Sequence, residues 1–306
     1  MKLAPLEKAD HEPFLSMVLN DKEQRDALLA RIQKSPAGIQ ALLQTPLTLS
    51  LLVLVYRSEY DIPPTLAGFY AHLFWAILAR HEKSKMGGHR RRKCEIGDRE
   101  LEELFAAFCF CAKLKGHVSF DHPTFHEVIG IAKDQLKIDC DATYLLEDFT
   151  ENVCLLSQEG LEFKFVHQSV QEYFAAAYVK SRTAEFASKF YSRVSVGDHW
   201  RRWQQELSFL AEIDRYRYVK DFLIPQLEGL FERTLPGITT ADWVAVRQLI
   251  DGMQANIVSE GGVIRLHSVV IGQVSFADNG FRMLLVMDPK VMSKIFSGPG
   301  PIANAE

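Results

Sequence analysis

The 306 residues predict a mainly α protein, with helical bundles flanking a winged helix-turn-helix that carries one short β-hairpin. Three observations predict it. Apolar residues recur at helical spacing behind Ser, Thr or Asp over most of the chain. The period changes to two only in VCLLS and LEFKFVH, on either side of a QEG turn at 158–160. Around that change, residues 95–180 run helix, short strand, helix, helix, hairpin, helix, which is the order of a winged helix-turn-helix.

Taken in order, the first 57 residues read as short helices. Asp10 and Pro13 open one carrying Phe14, Leu15, Val18 and Leu19. Ser35-Pro36 opens another, since serine caps and proline is tolerated in a first turn. Thr45-Pro46 repeats that grammar. The helix it starts, LTLSLLVLVY, has Leu47, Leu51, Leu54 and Val55 on one face and Leu49, Leu52 and Val53 on the others, which predicts a buried helix. Its first turn still keeps unpaired N–H groups. Ile62-Pro63-Pro64 stops the run, and Thr65 caps a long helix with Phe69, Tyr70, Leu73, Phe74, Ile77 and Leu78. The stretch 83–94, with Lys83, Lys85, Arg90, Arg91, Arg92 and Lys93 around two glycines, reads as an exposed basic loop.

Asp98 then caps a helix ending at Gly116, with Lys113 and Lys115 in the last turn where the helix dipole favours them. Val118-Ser119-Phe120 is extended. Asp121 caps a helix through Phe125, Val128, Ile129 and Ala132, and Asp141 caps the next. After the hairpin, Ser169 and Glu172 fit a capping box, S-x-x-E, leading into QEYFAAAYVKSR, where Tyr173 and Phe174 are core residues. Asp198 begins a helix with Trp200, Trp203, Leu207 and Leu210. Pro225 kinks or breaks the following one, and helical periodicity continues through ADWVAVRQLIDGM. From Gly261 strand and helix fit equally, and 297–306 reads as a frayed tail. The expected domains are a small helical domain at 1–60, a winged-helix domain at 61–180 and a C-terminal helical domain at 181–306.

At 47% hydrophobic and 24% charged, the chain is too apolar to be disordered and long enough to build substantial cores. Lys and Arg number 35 against 39 Asp and Glu; the net charge of −4 excludes a globally cationic nucleic-acid binder, though not a local basic patch. Glu7, Lys8 and Asp10 interrupt the start before an export signal can form. The most apolar stretch, 46–56, is about half of a membrane span. A cytoplasmic protein with no membrane partner is expected. The cysteines Cys94, Cys109, Cys111, Cys140 and Cys154 include no CxxC pair and are expected to be reduced. Cys109 and Cys111 point to different helix faces, and His117, His122 and His126 lack a spaced carboxylate or thiol set, so no metal site is expected. No GxxxxGK(S/T) loop, acidic strand end, GxSxG or HExxH occurs, so no catalytic residue is assigned and the chain is not expected to be an enzyme on its own.

Two segments are distinctive together: LLQTPLTLSLLVLVY with its proline-rich stop and new helix, and LEFKFVHQSVQEYFAAAYV further on. The pair resembles the C-terminal half of the NACHT module of signal-transducing (STAND) NTPases, over roughly residues 1–230. KLAPL near the start resembles that family's link from the last strand of its nucleotide-binding sheet. The second segment is the more specific. The resemblance implies that the small helical domain packs a proline, here Pro46, against the adenine of ADP. It also implies a winged-helix histidine at the phosphates, here His167 in F-x-F-x-H-x-S-x-Q-E-Y-F. A rigid ring at a helix start can stack on a flat base, and an imidazole N–H aimed at a diphosphate makes a charge-assisted hydrogen bond.

The resemblance further implies a P-loop NTPase half, supplied in cis or in trans, since this chain lacks one. ADP or ATP with Mg is then a ligand only in that company, and none is expected for the isolated chain. Exchange of ADP for ATP would release the winged helix and open a surface for homo-oligomerisation, in defence or stress signalling. Taken by themselves, the residues leave alternatives. Pro46 also suits any first helical turn, and His167 a strand-end histidine bonded to a neighbouring carbonyl. A stand-alone winged helix on DNA is the main rival. Its recognition helix, from Asp141 to Asn152, would carry Asp141, Glu147, Asp148 and Glu151 and no Lys or Arg, so no DNA partner is expected. A protein-interaction module and a degenerate, non-signalling fragment complete the alternatives.

Overall fold

The computed structural model describes residues 5–35, 37–59, 61–84, 93–196, 199–226, 254–260, 263–271 and 274–277. The chain divides into two compact units, 1–181 and 182–306. It is mainly helical, with a small three-stranded antiparallel sheet in the first unit. No helix among the described residues is long and apolar enough to cross a membrane.

The first unit opens with α1 (His11–Val18), α2 (Lys22–Lys34), α3 (Ala37–Leu42) and α4 (Pro46–Glu59). Asp21 caps α2 by accepting the Glu23 N–H at 2.9 Å. Ser35, expected to open α3, closes α2 instead: its hydroxyl donates to the Ile32 carbonyl at 2.6 Å. Pro36 lies outside the described residues. Thr45 caps α4 through the Thr48 N–H at 3.2 Å. Leu49, Leu51, Leu52, Val53 and Val55 are buried, as an all-round apolar helix requires, yet Pro46 and Leu47 are exposed. The body of α4 is core and its first turn is surface. α5 (Leu66–Ser84) follows, capped by Thr65 on the Gly68 N–H at 3.0 Å. Residues 85–92 of the expected basic loop lie outside the described residues.

α6 (Asp98–Lys115) is capped by Gly97, not Asp98; the Gly97 N–H donates to the Glu100 carboxylate at 2.8 Å, leaving Asp98 as the first helical residue. Gly116 ends it at φ 84°, a left-handed position that glycine fills without steric cost. β1 (Ser119–Phe120) leads to α7 (His122–Leu136), capped by Asp121 on the Thr124 N–H at 2.8 Å. α8 (Ala142–Glu147) is capped by Asp141 on the Thr143 N–H at 2.7 Å and passes directly into a π turn, Asp148–Asn152. β2 (Leu156–Glu159), β3 (Glu162–Phe165) and α9 (Gln168–Ser181) complete the unit.

The sheet order is β1-β3-β2, antiparallel throughout, so the short strand expected at 118–120 joins the hairpin as its third strand. The turn also moves. Gln158 and Glu159 pair with Phe163 and Glu162, which leaves Gly160 and Leu161 as the loop in place of 158–160. Gly160 has φ 66°, and a positive φ at the first of two central residues is what a type II′ hairpin demands of glycine. A Cβ placed there meets nothing within 4 Å. Gly160→Ala is therefore expected to cost about 1 kcal/mol from backbone strain alone, measured as a lowered denaturation midpoint. An unchanged midpoint would refute this turn.

Between α5 and α9 the core is built on one aromatic cluster. Phe74 of α5, Phe105 and Phe108 of α6, Phe120 of β1, Phe125 of α7, Phe149 of the π turn, Phe165 of β3 and Phe174 of α9 have neighbouring ring centroids 4.9–6.5 Å apart. Cys94 and Cys140 lie side by side, their Cα atoms 6.2 Å apart and within the span a disulfide needs. Cys109 and Cys111 are buried free thiols, and burial pushes Cys111 up to about 11.

The second unit holds α10 (Ala184–Val194), α11 (His199–Arg202), α12 (Gln204–Ile213), α13 (Arg215–Tyr218) and a second π turn, Val219–Leu223. Trp203 separates α11 from α12, so the single helix expected after Asp198 is two; Asp198 itself lies outside the described residues. Phe190 meets Trp203 edge-on at 5.1 Å, and Tyr218 meets Phe222 at 5.4 Å. β4 (Gln254–Glu260), β5 (Val263–Ile271) and β6 (Val274–Ala277) form an antiparallel sheet in that order. The C-terminal helical domain carries strands at 254–260, 263–271 and 274–277, in a region where strand and helix fit equally from Gly261. The expected helix ADWVAVRQLIDGM and the tail 297–306 lie outside the described residues.

Candidate functional site

His167 sits between β3 and α9 and caps the helix with its ring. Nδ1 accepts the Ser169 N–H at 3.2 Å, and the His167 carbonyl accepts the Val170 N–H at 3.0 Å. The Ser169 hydroxyl lies 2.5 Å from the same Nδ1 and is also bonded to the Tyr70 hydroxyl of α5. A backbone N–H can only donate, so this contact favours Nδ1 as the acceptor, with the proton of the neutral ring on Nε2. Burial holds the His167 pKa below the ordinary histidine value, which favours that neutral ring. Nε2 makes no hydrogen bond among the described residues. What results is a half-buried N–H donor at the start of α9, the helix end whose dipole and N–H groups attract anions.

The expected capping box does not form. Ser169 is engaged by His167 and Tyr70, and the Glu172 carboxylate accepts from the Gln168 side chain at 3.0 Å. Nor is His167 bonded to a carbonyl through its ring, because both partners of Nδ1 lie on Ser169 and one is an obligate donor.

Pro46 is exposed at the first position of α4. Its carbonyl accepts the Ser50 hydroxyl at 2.9 Å, while the Thr48 hydroxyl is bonded to the Leu42 carbonyl. The pyrrolidine carries no N–H, so its face is available to a flat apolar partner. Pro46 and His167 are not joined by a hydrogen bond or ring contact among the described residues. α5 packs against both of the helices involved, α4 and α9.

Tyr70, which belongs to this arrangement, and Asp148, which holds another corner of the same unit, were not read from the sequence as functional. Tyr70 is buried, stacks on Tyr173 at 5.4 Å, and reaches Ser169 from 99 residues away. Its only sequence signal is a tyrosine amid the apolar positions of a long helix. Asp148, fully buried on the π turn, accepts the Lys93 and Cys94 N–H groups at 3.3 and 3.2 Å and the Asn152 amide at 2.6 Å. Glu147 beside it pairs with the Lys93 ammonium. The end of the basic stretch is thereby fastened to the α8 corner. No cluster of three or more His, Cys, Asp or Glu side chains suited to a metal occurs among the described residues.

No family model matches this chain, and no curated protein matches it.

Proposed function

We propose that this chain is the regulatory, nucleotide-sensing half of a NACHT-type STAND NTPase switch. In this reading α6 to α9 with the sheet β1-β3-β2 form the winged helix, and a P-loop half joins in cis or in trans. The observation that carries the proposal is the state of His167: Nδ1 occupied, Nε2 left as a donor, at a helix start that favours negative charge. Pro46, exposed at the head of α4, supports it from the adenine side. Bound ADP brings a diphosphate anion and a flat purine, with Mg where ATP is held. His167 would hold the phosphates through Nε2–H, and Pro46 would cover one face of the base. The two contacts together would keep the helices closed on the nucleotide, and their loss would free them to oligomerise in a cytoplasmic defence or stress response.

DNA reading by the same helices is disfavoured on specific ground. The segment that would enter the groove presents Asp141 and Glu151 at the surface. The amide N–H groups of Thr143 and then Tyr144 hold the Asp141 carboxyl below its usual range, keeping it anionic against a phosphate backbone.

Calorimetry tests the proposal in two steps. The isolated chain is expected to bind ADP weakly, because two contact residues without a phosphate loop leave most of the ligand in water; sub-micromolar affinity would contradict the division of labour. Joined to its P-loop half, His167→Ala is expected to weaken ADP retention about 10- to 100-fold, the worth of one hydrogen bond to a charged group, and to raise resting activity. If neither changes, His167 is not part of the switch.

A further inference from the structure

We infer that Tyr70 and Ser169 are positioning residues for His167, forming a directed hydrogen-bond chain from α5 that fixes the ring as an acceptor at Nδ1 and a donor at Nε2. The direction follows from the groups themselves. The Ser169 N–H points at Nδ1 and cannot reverse. With Nδ1 an acceptor, the Ser169 hydroxyl donates its one proton to it at 2.5 Å. The Ser169 oxygen is then free to accept, and the partner present is the Tyr70 hydroxyl. Tyr70 is suited to the donor's part because burial, with the Glu172 charge as a lesser cause, raises its pKa and keeps the phenol protonated. Stacking on Tyr173 and an edge contact to Phe69 at 5.2 Å hold the ring in place. Chains of this kind polarise along their length, so each donor strengthens the next.

The consequence reaches beyond one side chain. Tyr70 stands on α5, which packs against α4 and against α9. Any shift of α5 along α9 breaks the Tyr70–Ser169 bond and loosens the imidazole, so the helix that carries Tyr70 reports its position to the nitrogen that would meet a phosphate. Only the identity of that ligand rests on the proposed function; the chain of bonds does not.

The test needs no nucleotide. In the full chain with ¹⁵N-labelled histidine, His167 is followed by its ring nitrogen resonances through a pH titration. Ser169→Ala is expected to move Nδ1 toward an unbonded imidazole nitrogen and to raise the protonation midpoint by about one pH unit, the worth of one hydrogen bond to the neutral ring. Ser169→Thr, which keeps the hydroxyl, is expected to restore both. Tyr70→Phe preserves the packing and is expected to move both in the same direction by less. Wild-type behaviour in Ser169→Ala, or in Tyr70→Phe, overturns the inference. Failure of ADP binding in the reunited protein, with these shifts intact, would count against the proposed function alone.

Discussion

Replacing Phe105 by alanine is expected to lower the stability of the first unit by about 3–5 kcal/mol. Phe105 is fully buried and meets Phe149 at 4.9 Å and Phe174 at 5.0 Å, both edge-on, with Phe74 at 6.2 Å and Phe165 at 6.4 Å. It therefore joins α5, the π turn, β3 and α9 to α6. Truncation removes both the transfer energy of the ring and its edge-to-face contacts, and these neighbours, drawn from separate elements, cannot all collapse into the gap. Against a typical domain stability of about 5–15 kcal/mol, that loss is a large share. Urea denaturation measures it, with Leu161→Ala as the control. Leu161 is 87% exposed at the hairpin loop and should change stability by less than about 0.5 kcal/mol. Equal effects from the two substitutions would mean the ring cluster is not the core.

Asp148→Ala is expected to cost about 2–4 kcal/mol, the second largest effect. The carboxylate is fully buried and takes two backbone N–H groups and one side-chain amide. Its removal leaves the buried Cys94 and Asn152 donors without the acceptor that replaced their water, at about 1–3 kcal/mol for each left unmet. The readout is specific as well as global. Amide hydrogens of Lys93 and Cys94 should exchange much faster in the variant, while those in the middle of α6 should follow only the global loss. If the Lys93 and Cys94 rates stay at their wild-type values, Asp148 is not what fastens that segment.

Four helix caps decided within two or three residues were legible in the sequence. Asp121, Asp141, Thr45 and Thr65 cap their helices as read, because a short oxygen-bearing side chain meets N–H groups two or three residues on. The buried body of α4 followed from its all-round apolar composition, and the hairpin from the change of period. The misses at Ser35, Asp98 and the hairpin loop are local shifts of a cap or turn, whereas those that bear on buried polar groups come from distant partners. Ser169 had the spacing of a capping box, but Tyr70 and His167 hold its hydroxyl. Asp148 reads as one more acid on the helix from Asp141 to Asn152, because the amides it receives come from 54 and 55 residues away. Cys94 and Cys140, 46 residues apart, form no local motif. Of the site, sequence placed Pro46 and His167 by resemblance, while the bonds that orient the imidazole became visible only once α5 and α9 were packed together.

The wide turn at Asp148–Asn152, closed by the Val153 N–H on the Asp148 carbonyl at 2.8 Å, amounts to a surplus residue stored between α8 and the hairpin. Excising one amino acid there would let the coil continue with ordinary winding, and nothing in hydrophobic patterning would object. Held instead in regular α winding, the extra residue would swing every side chain upstream by about 100° relative to the strands that follow, since each α-helical residue advances by that angle. Asp148 would then face away from the amides it secures. The wide turn is therefore what keeps Asp148 aimed at the Lys93 and Cys94 amides while it takes up that residue.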